Sequence, residues 1–192
     1  MDDLALDALF RTARTPTAWT GAPIEQELLH SLYDLVKLPP TSGNCQPGRF
    51  VFLTSQDSRE RLRPALSPGN VSCTMGAAVT VIVAHDPFFY DNLDRLYPAG
   101  EARSWFAGDH GLAEETAFRN GTLQGGYLIL AARALGLDAA PMSGFDNVKV
   151  DDIFLAGSGW RSNFLVNLGY ASGAPEHPRA PRLAFDEACM LL

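Results

Sequence analysis

The sequence is poor in several things, and each shortage removes a class of function. Of its 15 basic residues only Lys37 and Lys149 are lysine; the other 13 are arginine. The formal net charge is −7, which argues against nucleic acid or an anionic membrane surface as a partner. Cys45, Cys73 and Cys189 are odd in number, and no pair has metal-motif spacing. The four histidines, His30, His85, His110 and His177, are scattered. A disulfide framework and a structural zinc site therefore have no support, and the expected metal content is none. No apolar run reaches the ~18–20 residues of a membrane span. The longest, from Tyr127 to Leu137, is interrupted by Arg133. Met1-Asp2-Asp3 lacks the basic start of a secretory signal, so the expected location is cytoplasmic. There is no GxGxxG and no Walker sequence.

What is present suits one α/β-type domain of 192 residues, 46% hydrophobic. Helical spacing predicts helices over 3–11 and 25–37, the second ended by Pro39-Pro40. Loop residues 41–48 follow, then a strand at 50–53 and a short helix at 58–66. The β-branched run 79–84 predicts a strand. Residues 87–109 are aromatic and irregular. The longest predicted helix spans 111–135, with Gly136 as its stop. Small residues recur in it at Ala117, Gly121, Gly125, Ala131 and Ala132. Glycine in a helix costs roughly 1 kcal/mol relative to alanine, so close helix–helix approach is the expected compensation. Residues 137–140 read as a short strand, 141–145 as a turn, and Asp146 as the cap of a helix to about 155. The strand 164–170, a proline-rich tail at 173–182 and a final short helix at 185–192 complete the chain. No internal repeat or linker is evident, so residues 1–192 are expected to form a single domain.

Four separated segments carry the chemistry: Arg14-Thr15-Pro16-Thr17, Pro40-Thr41-Ser42-Gly43-Asn44-Cys45-Gln46-Pro47, Pro141-Met142-Ser143-Gly144-Phe145, and Arg179-Ala180-Pro181-Arg182-Leu183. In order and spacing they resemble the nitroreductase-like FMN family, from about residue 4 to residue 192. The resemblance implies an α+β fold: a central, mainly antiparallel sheet flanked by helices, dimerised through the long helix. It implies FMN at the subunit interface, with the loop at 40–47 reaching it from the partner chain. Arg14, Thr15, Thr17 and Arg182 would hold the phosphate through charge-assisted hydrogen bonds. Pro40, Thr41, Ser42 and Asn44 would form the loop at the ring's polar edge, with Asn70, Pro141 and Met142 as further flavin contacts. The backbone N–H of Ser143 or Gly144 would donate at the reacting nitrogen, where glycine permits close approach. Taken one at a time, these residues also read as surface arginines and ordinary turn chemistry.

Three positions depart from the family pattern. Thr17 stands where a second basic residue is common, Cys73 where a lysine often lies near the flavin, and Ser143 where an acid is frequent. Segments 61–67, 102–106, 114–120 and 141–146 resemble a subgroup, the malonic semialdehyde reductases of pyrimidine degradation. That implies NADPH- or NADH-driven ping-pong reduction of a small-molecule aldehyde, 3-oxopropanoate, to 3-hydroxypropanoate, in a homodimer. Two other readings stay open: a broad-specificity nitro- or quinone reductase, favoured by the aromatic segment, and a non-enzymatic flavin-binding protein, favoured by the missing lysine.

Overall fold

The structure is a computed structural model describing residues 2–175 and 177–192. Met1 of the N-terminal reading and Glu176 of the proline-rich tail lie outside the described residues. The centre is a four-stranded sheet, wholly antiparallel, in the order β1-β2-β4-β3. The strands are β1 (Gly48–Leu53), β2 (Val79–His85), β3 (Asp138–Met142) and β4 (Arg161–Gly169). Every residue of β2 is buried, as its unbroken apolar, β-branched run requires of an inner strand.

Alternation along the inner strands sorts the core into two layers. Val79, Val81 and Val83 of β2, with Val166 and Leu168 of β4, pack under α2 (Gln26–Val36) and α6 (His110–Ala134). Ile82 and Leu165 point the other way, toward Leu62, Ala65 and Val150. That second layer is built from α3 (Gln56–Leu62), α4 (Pro68–Gly76) and α7 (Asn147–Val150). A third cluster joins Cys45, Phe89, Tyr90, Phe106 and Ala117, so the aromatic segment closes over one end of α6. Short α1 (Asp3–Leu6), α5 (Leu93–Leu96) and α8 (Phe185–Ala188) complete the set.

Local chemistry explains the ends of α6. Asp109 caps it, accepting from the Leu112 N–H at 3.0 Å. Gly136, at φ 80°, ends it, and the Leu137 N–H returns to the Ala132 carbonyl at 2.9 Å. Asp146 caps α7 as expected from the sequence, by accepting from the Lys149 N–H.

Three expectations change. The small-residue stripe of α6 is a helix–helix seam only at Ala131 and Ala132, which pack with Leu29, Leu32 and Val36 of α2; its glycines face the sheet. Ala117 and Ala132 are fully buried, and an added Cβ on Gly125 would sit 2.5 Å from Phe164 Cζ and 2.9 Å from Val83 Cγ1. The stripe lets the helix lie close on its own sheet. The outward face carries Leu112, Phe118, Leu123 and Tyr127 instead. Pro141 and Met142 belong to β3 rather than to a turn. Proline is tolerated there because β3 is an edge strand and needs no outward N–H. Helix α4 was not expected; it is short, Gly69 and Val71 lower its propensity, and its packing on the sheet overrides that.

Candidate active site

Two groups of the selected residues assemble in one chain, and one residue stands apart. The first group begins where the chain leaves the turn after α1. Arg14, Thr15, Pro16 and Thr17 line a cavity of about 430 Å³, together with Arg133, Asp138, Ser172 and His177. The Arg14 guanidinium donates to the His177 carbonyl at 2.6 Å. Arg179 sets the same segment from behind: its Nη2 donates to the carbonyls of Phe10 (3.2 Å), Arg11 (2.9 Å) and Ala13 (2.7 Å). Arg133 donates to Leu9 O at 3.0 Å, and burial, then repulsion from Arg179, pull its pKa down. Positive charge is thus gathered at this cavity beyond what Asp138 offsets, and the threonine and serine hydroxyls stand beside it. Such a lining suits a phosphate.

The floor continues from this cavity across α4 to the end of β3. Cys73 Sγ lies 3.7 Å from the Pro16 carbonyl, to which its thiol donates, and Trp19 Nε1 donates to Cys73 O at 2.8 Å. One turn earlier, Asn70 Nδ2 donates to Gly144 O at 2.9 Å, and the Ser67 N–H shares that acceptor at 2.9 Å. An added Cβ on Gly144 would lie 2.5 Å from Asn70 Nδ2, so glycine is needed for this approach. The Gly144 N–H itself makes no hydrogen bond among the described residues, and Ser143 beside it is exposed. Met142 Sδ accepts from Thr74 Oγ1 at 3.6 Å. Hydrogen bonds thus tie the 14–17 segment, with Arg14, Thr15 and Thr17, to α4 at Cys73, and tie α4 at Asn70 and Thr74 to Gly144 and Met142, with Pro141 and Ser143 as their chain neighbours.

The second group is the loop at 40–47. Its shape is set by Gly43, Asn44 and Gln46 in the left-handed region, at φ 55°, 52° and 40°. The Thr41 hydroxyl accepts from the Gln46 N–H at 3.1 Å. Asn44 donates to Leu96 O at 2.9 Å and accepts from Gln46 Nε2 at 2.8 Å. The buried Asn120 of α6 accepts from the Ser42 N–H at 2.9 Å and donates to Thr116 O. Trp105 flanks Gly43. Cys45 is buried beneath, and burial pushes its thiol up to about 11, so it is no nucleophile near neutral pH. Pro40, Thr41, Ser42 and Asn44 are thus held together at Asn120 of α6, whereas the Arg14 cavity lies at Arg133, near the other end of that helix.

Arg182 is the residue apart. It is exposed and donates to the carbonyls of Ala180 and Pro181, whereas Arg179, three residues earlier, reaches the Arg14 segment. Sequence reading gave Arg133 no role and named Arg179 and Asn120 only as members of longer segments, because an arginine or asparagine on a helix or tail carries no specific signal until its carbonyl partners are known. A larger cleft, about 860 Å³, runs along the outer edge of β1 beside Leu29, Tyr33, Phe50 and Trp160. It holds none of the selected cofactor residues. Among the described residues, no group of three or more His, Cys, Asp or Glu could hold a metal ion, and no helix is long and apolar enough to cross a membrane.

Comparison with known proteins now gives this architecture its class. Residues 11–170 match the model of the nitroreductase family. A protein of Burkholderia lata, provisionally named NADH dehydrogenase/NAD(P)H nitroreductase, is 59% identical over 97% of this chain and 96% of its own. A protein of Xanthomonas oryzae pv. oryzae with the same provisional name is 60% identical over 96% of this chain and 94% of its own. A solved structure from Exiguobacterium sibiricum, described provisionally as a nitroreductase in complex with FMN, superposes with a TM-score of 0.85 at 19% identity, over 100% of this chain and 98% of that one. The chain belongs to the nitroreductase family.

Proposed function

We propose that this protein is an FMN-dependent NAD(P)H oxidoreductase acting as a homodimer, with malonic semialdehyde as its acceptor. The observation that carries the cofactor reading is the chain of hydrogen bonds that ties the Arg14 cavity, through Cys73 and Asn70 of α4, to Gly144, whose N–H has no partner among the described residues. Its parts follow the order of a flavin mononucleotide: an anion pocket at one end, polar edge groups at Asn70, and an unpaired donor at the other. The FMN of the Exiguobacterium structure and the provisional names of the two relatives support the same reading.

When bound, FMN supplies two-electron transfer between NAD(P)H and the acceptor. The chain's own residues bind and orient. Arg14, with Thr15 and Thr17, holds the phosphate, and Arg133 and Arg179 add positive charge around it. Asn70 and the Gly144 N–H fix the ring at its polar edge and at its reacting nitrogen. Ser143, exposed beside Gly144, offers a hydroxyl for orienting an acceptor carbonyl. Arg182 and the loop residues Pro40, Thr41, Ser42 and Asn44 are assigned to the flavin of a second copy. The covering surface for that copy is the outward apolar face of α6, with Phe118 about half exposed, and the apolar groove formed by Leu35, Leu38, Tyr127 and Leu130.

The aldehyde reading rests on where the subgroup's segments lie. Segments 102–106 and 114–120 both bear on the loop, through Trp105 at Gly43 and Asn120 at Ser42. The exposed aromatics Phe88, Trp105 and Phe118 favour a second reading, a broad nitro- or quinone reductase. Steady-state kcat/KM on malonic semialdehyde against a nitroaromatic and a quinone separates them. A preference for the aldehyde supports the first reading; preference for the flat acceptors replaces it.

A further inference from the structure

One side chain of the sheet is polar where its surroundings call for an apolar one. Asn167 sits in the middle of β4 with no exposed surface, on the face that Leu165 and Ile82 fill with hydrocarbon. A buried amide is tolerated only when its groups are paired, and this one is paired at both ends. Its Oδ1 accepts from Thr80 Oγ1 of β2 at 2.7 Å. Its Nδ2 donates to Thr74 Oγ1 of α4 at 3.1 Å and toward Cys73 Sγ at 3.7 Å. The bonds then run outward. Thr74 donates to Met142 Sδ of β3, and the Cys73 thiol donates to Pro16 O in the Arg14 segment. Thr74 and Thr80 are as fully buried as Asn167.

The endpoints of this network are the three pieces of the candidate flavin surface: the 14–17 segment, α4 with Asn70 and Cys73, and the end of β3 leading to Gly144. Helix α4 is short, with Gly69 and Val71 lowering its propensity, and its apolar contacts to the sheet are the partly buried Val71 and Met75, which are non-directional. Directional bonds to a rigid inner strand fix the helix register. Asn70, Cys73 and Thr74 stand at i, i+3 and i+4, so the turn that the amide grips is the turn that presents Asn70 to Gly144.

We infer that Asn167 is a positioning residue for flavin binding: through Thr74 and Cys73 it sets the placement of α4 and of the Pro16 and Met142 segments against the cofactor. This deepens the flavin reading above and rests on it. Hydrocarbon would serve the fold as well, since replacing both partners of a buried hydrogen bond by apolar groups of similar shape is close to neutral for stability.

The test is a double variant, Thr80→Val with Asn167→Leu, and separately Thr74→Val with Thr74→Ser as its conservative control. Each apoprotein is compared with wild type for thermal unfolding, for FMN affinity by flavin fluorescence, and for the visible circular dichroism of bound FMN. The expected result is that the double variant unfolds close to wild type and Thr74→Val, which takes the oxygen acceptor from the buried Asn167 amide, unfolds below it; both bind FMN at least about tenfold more weakly and change the bound flavin's dichroism. Thr74→Ser should restore affinity to within about threefold. Should the double variant fail to fold, the Thr74 pair decides the matter by the same criteria. Affinity and dichroism unchanged in the folded apolar variants would overturn the inference while leaving the flavin reading intact. A wild-type protein that binds no FMN would overturn both.

Discussion

Adjacent glycines in α6 should respond differently to the same substitution. Gly125 and Gly126 occupy the same helix interior, so each gains about 1 kcal/mol of helix propensity when replaced by alanine. Around Gly126, on the outward face of α6, an added Cβ meets nothing of its own chain within 4 Å. Around Gly125 it would lie 2.5 Å from Phe164 Cζ, 2.9 Å from Cε1 of the same ring and 2.9 Å from Val83 Cγ1. Comfortable carbon–carbon contact is about 3.5–4.0 Å, so the Phe164 ring must retreat by roughly 1 Å within a packed layer. Overpacking of that kind costs about 1–3 kcal/mol. The propensity gain is common to both variants, so the gap between them isolates the overpacking. For a chain of this size, 1 kcal/mol shifts Tm by roughly 2–4 °C. Gly126→Ala is expected to unfold above wild type and Gly125→Ala below Gly126→Ala by roughly 2–12 °C, read by circular dichroism and checked by urea titration. Equal shifts, or a larger loss at Gly126, would refute the placement of the small-residue stripe against the protein's own sheet.

Other expectations follow from the site. Arg14→Ala should weaken FMN binding by tenfold to a hundredfold, the worth of a charge-assisted contact of about 1.5–3 kcal/mol, while leaving riboflavin affinity nearly unchanged; equal losses for both flavins would remove Arg14 from the phosphate. Gly144→Ala should push the Asn70 amide from the Gly144 carbonyl and lower FMN affinity with little loss of fold stability, which flavin fluorescence and thermal unfolding read separately. Cys45 should make stability fall in alkali. Its folded pKa of about 11 stands above the unfolded value of 9.0, so the unfolded chain loses its proton first, and the stabilisation present below pH 9 is lost as pH rises to about 11. The two-unit shift corresponds to roughly 2–3 kcal/mol, and urea titrations between pH 8 and 11 should show a slope that Cys45→Ala flattens.

Residue types set by local rules were legible in the sequence. The β-branched run of β2, the Asp146 cap and the Gly136 stop all came through, because each depends on a few neighbouring residues. Helix α4 did not, since it is short, Gly69 and Val71 lower its propensity, and contacts distant in sequence stabilise it. The glycines of α6 show a different limit. Their presence signalled close approach, but spacing alone could not say whether a partner helix or the chain's own sheet lay opposite. In the site, Arg14, Asn70 and Gly144 were identifiable through family motifs. The sequence named Arg179 and Arg182 in one segment, and only the fold of the tail decides that Arg179 meets the carbonyls of Phe10, Arg11 and Ala13. Asn167 was invisible for the same reason: a lone asparagine in an apolar strand gains meaning only from the partners across the sheet.

The most direct test of the account is anaerobic mixing of the purified protein with NAD(P)H, followed by malonic semialdehyde. The protein should carry one FMN per chain; the reduced nicotinamide should bleach the flavin band, and the aldehyde should restore it with formation of 3-hydroxypropanoate. A protein without FMN, or one whose flavin band is untouched by both NADH and NADPH, would contradict the central claim.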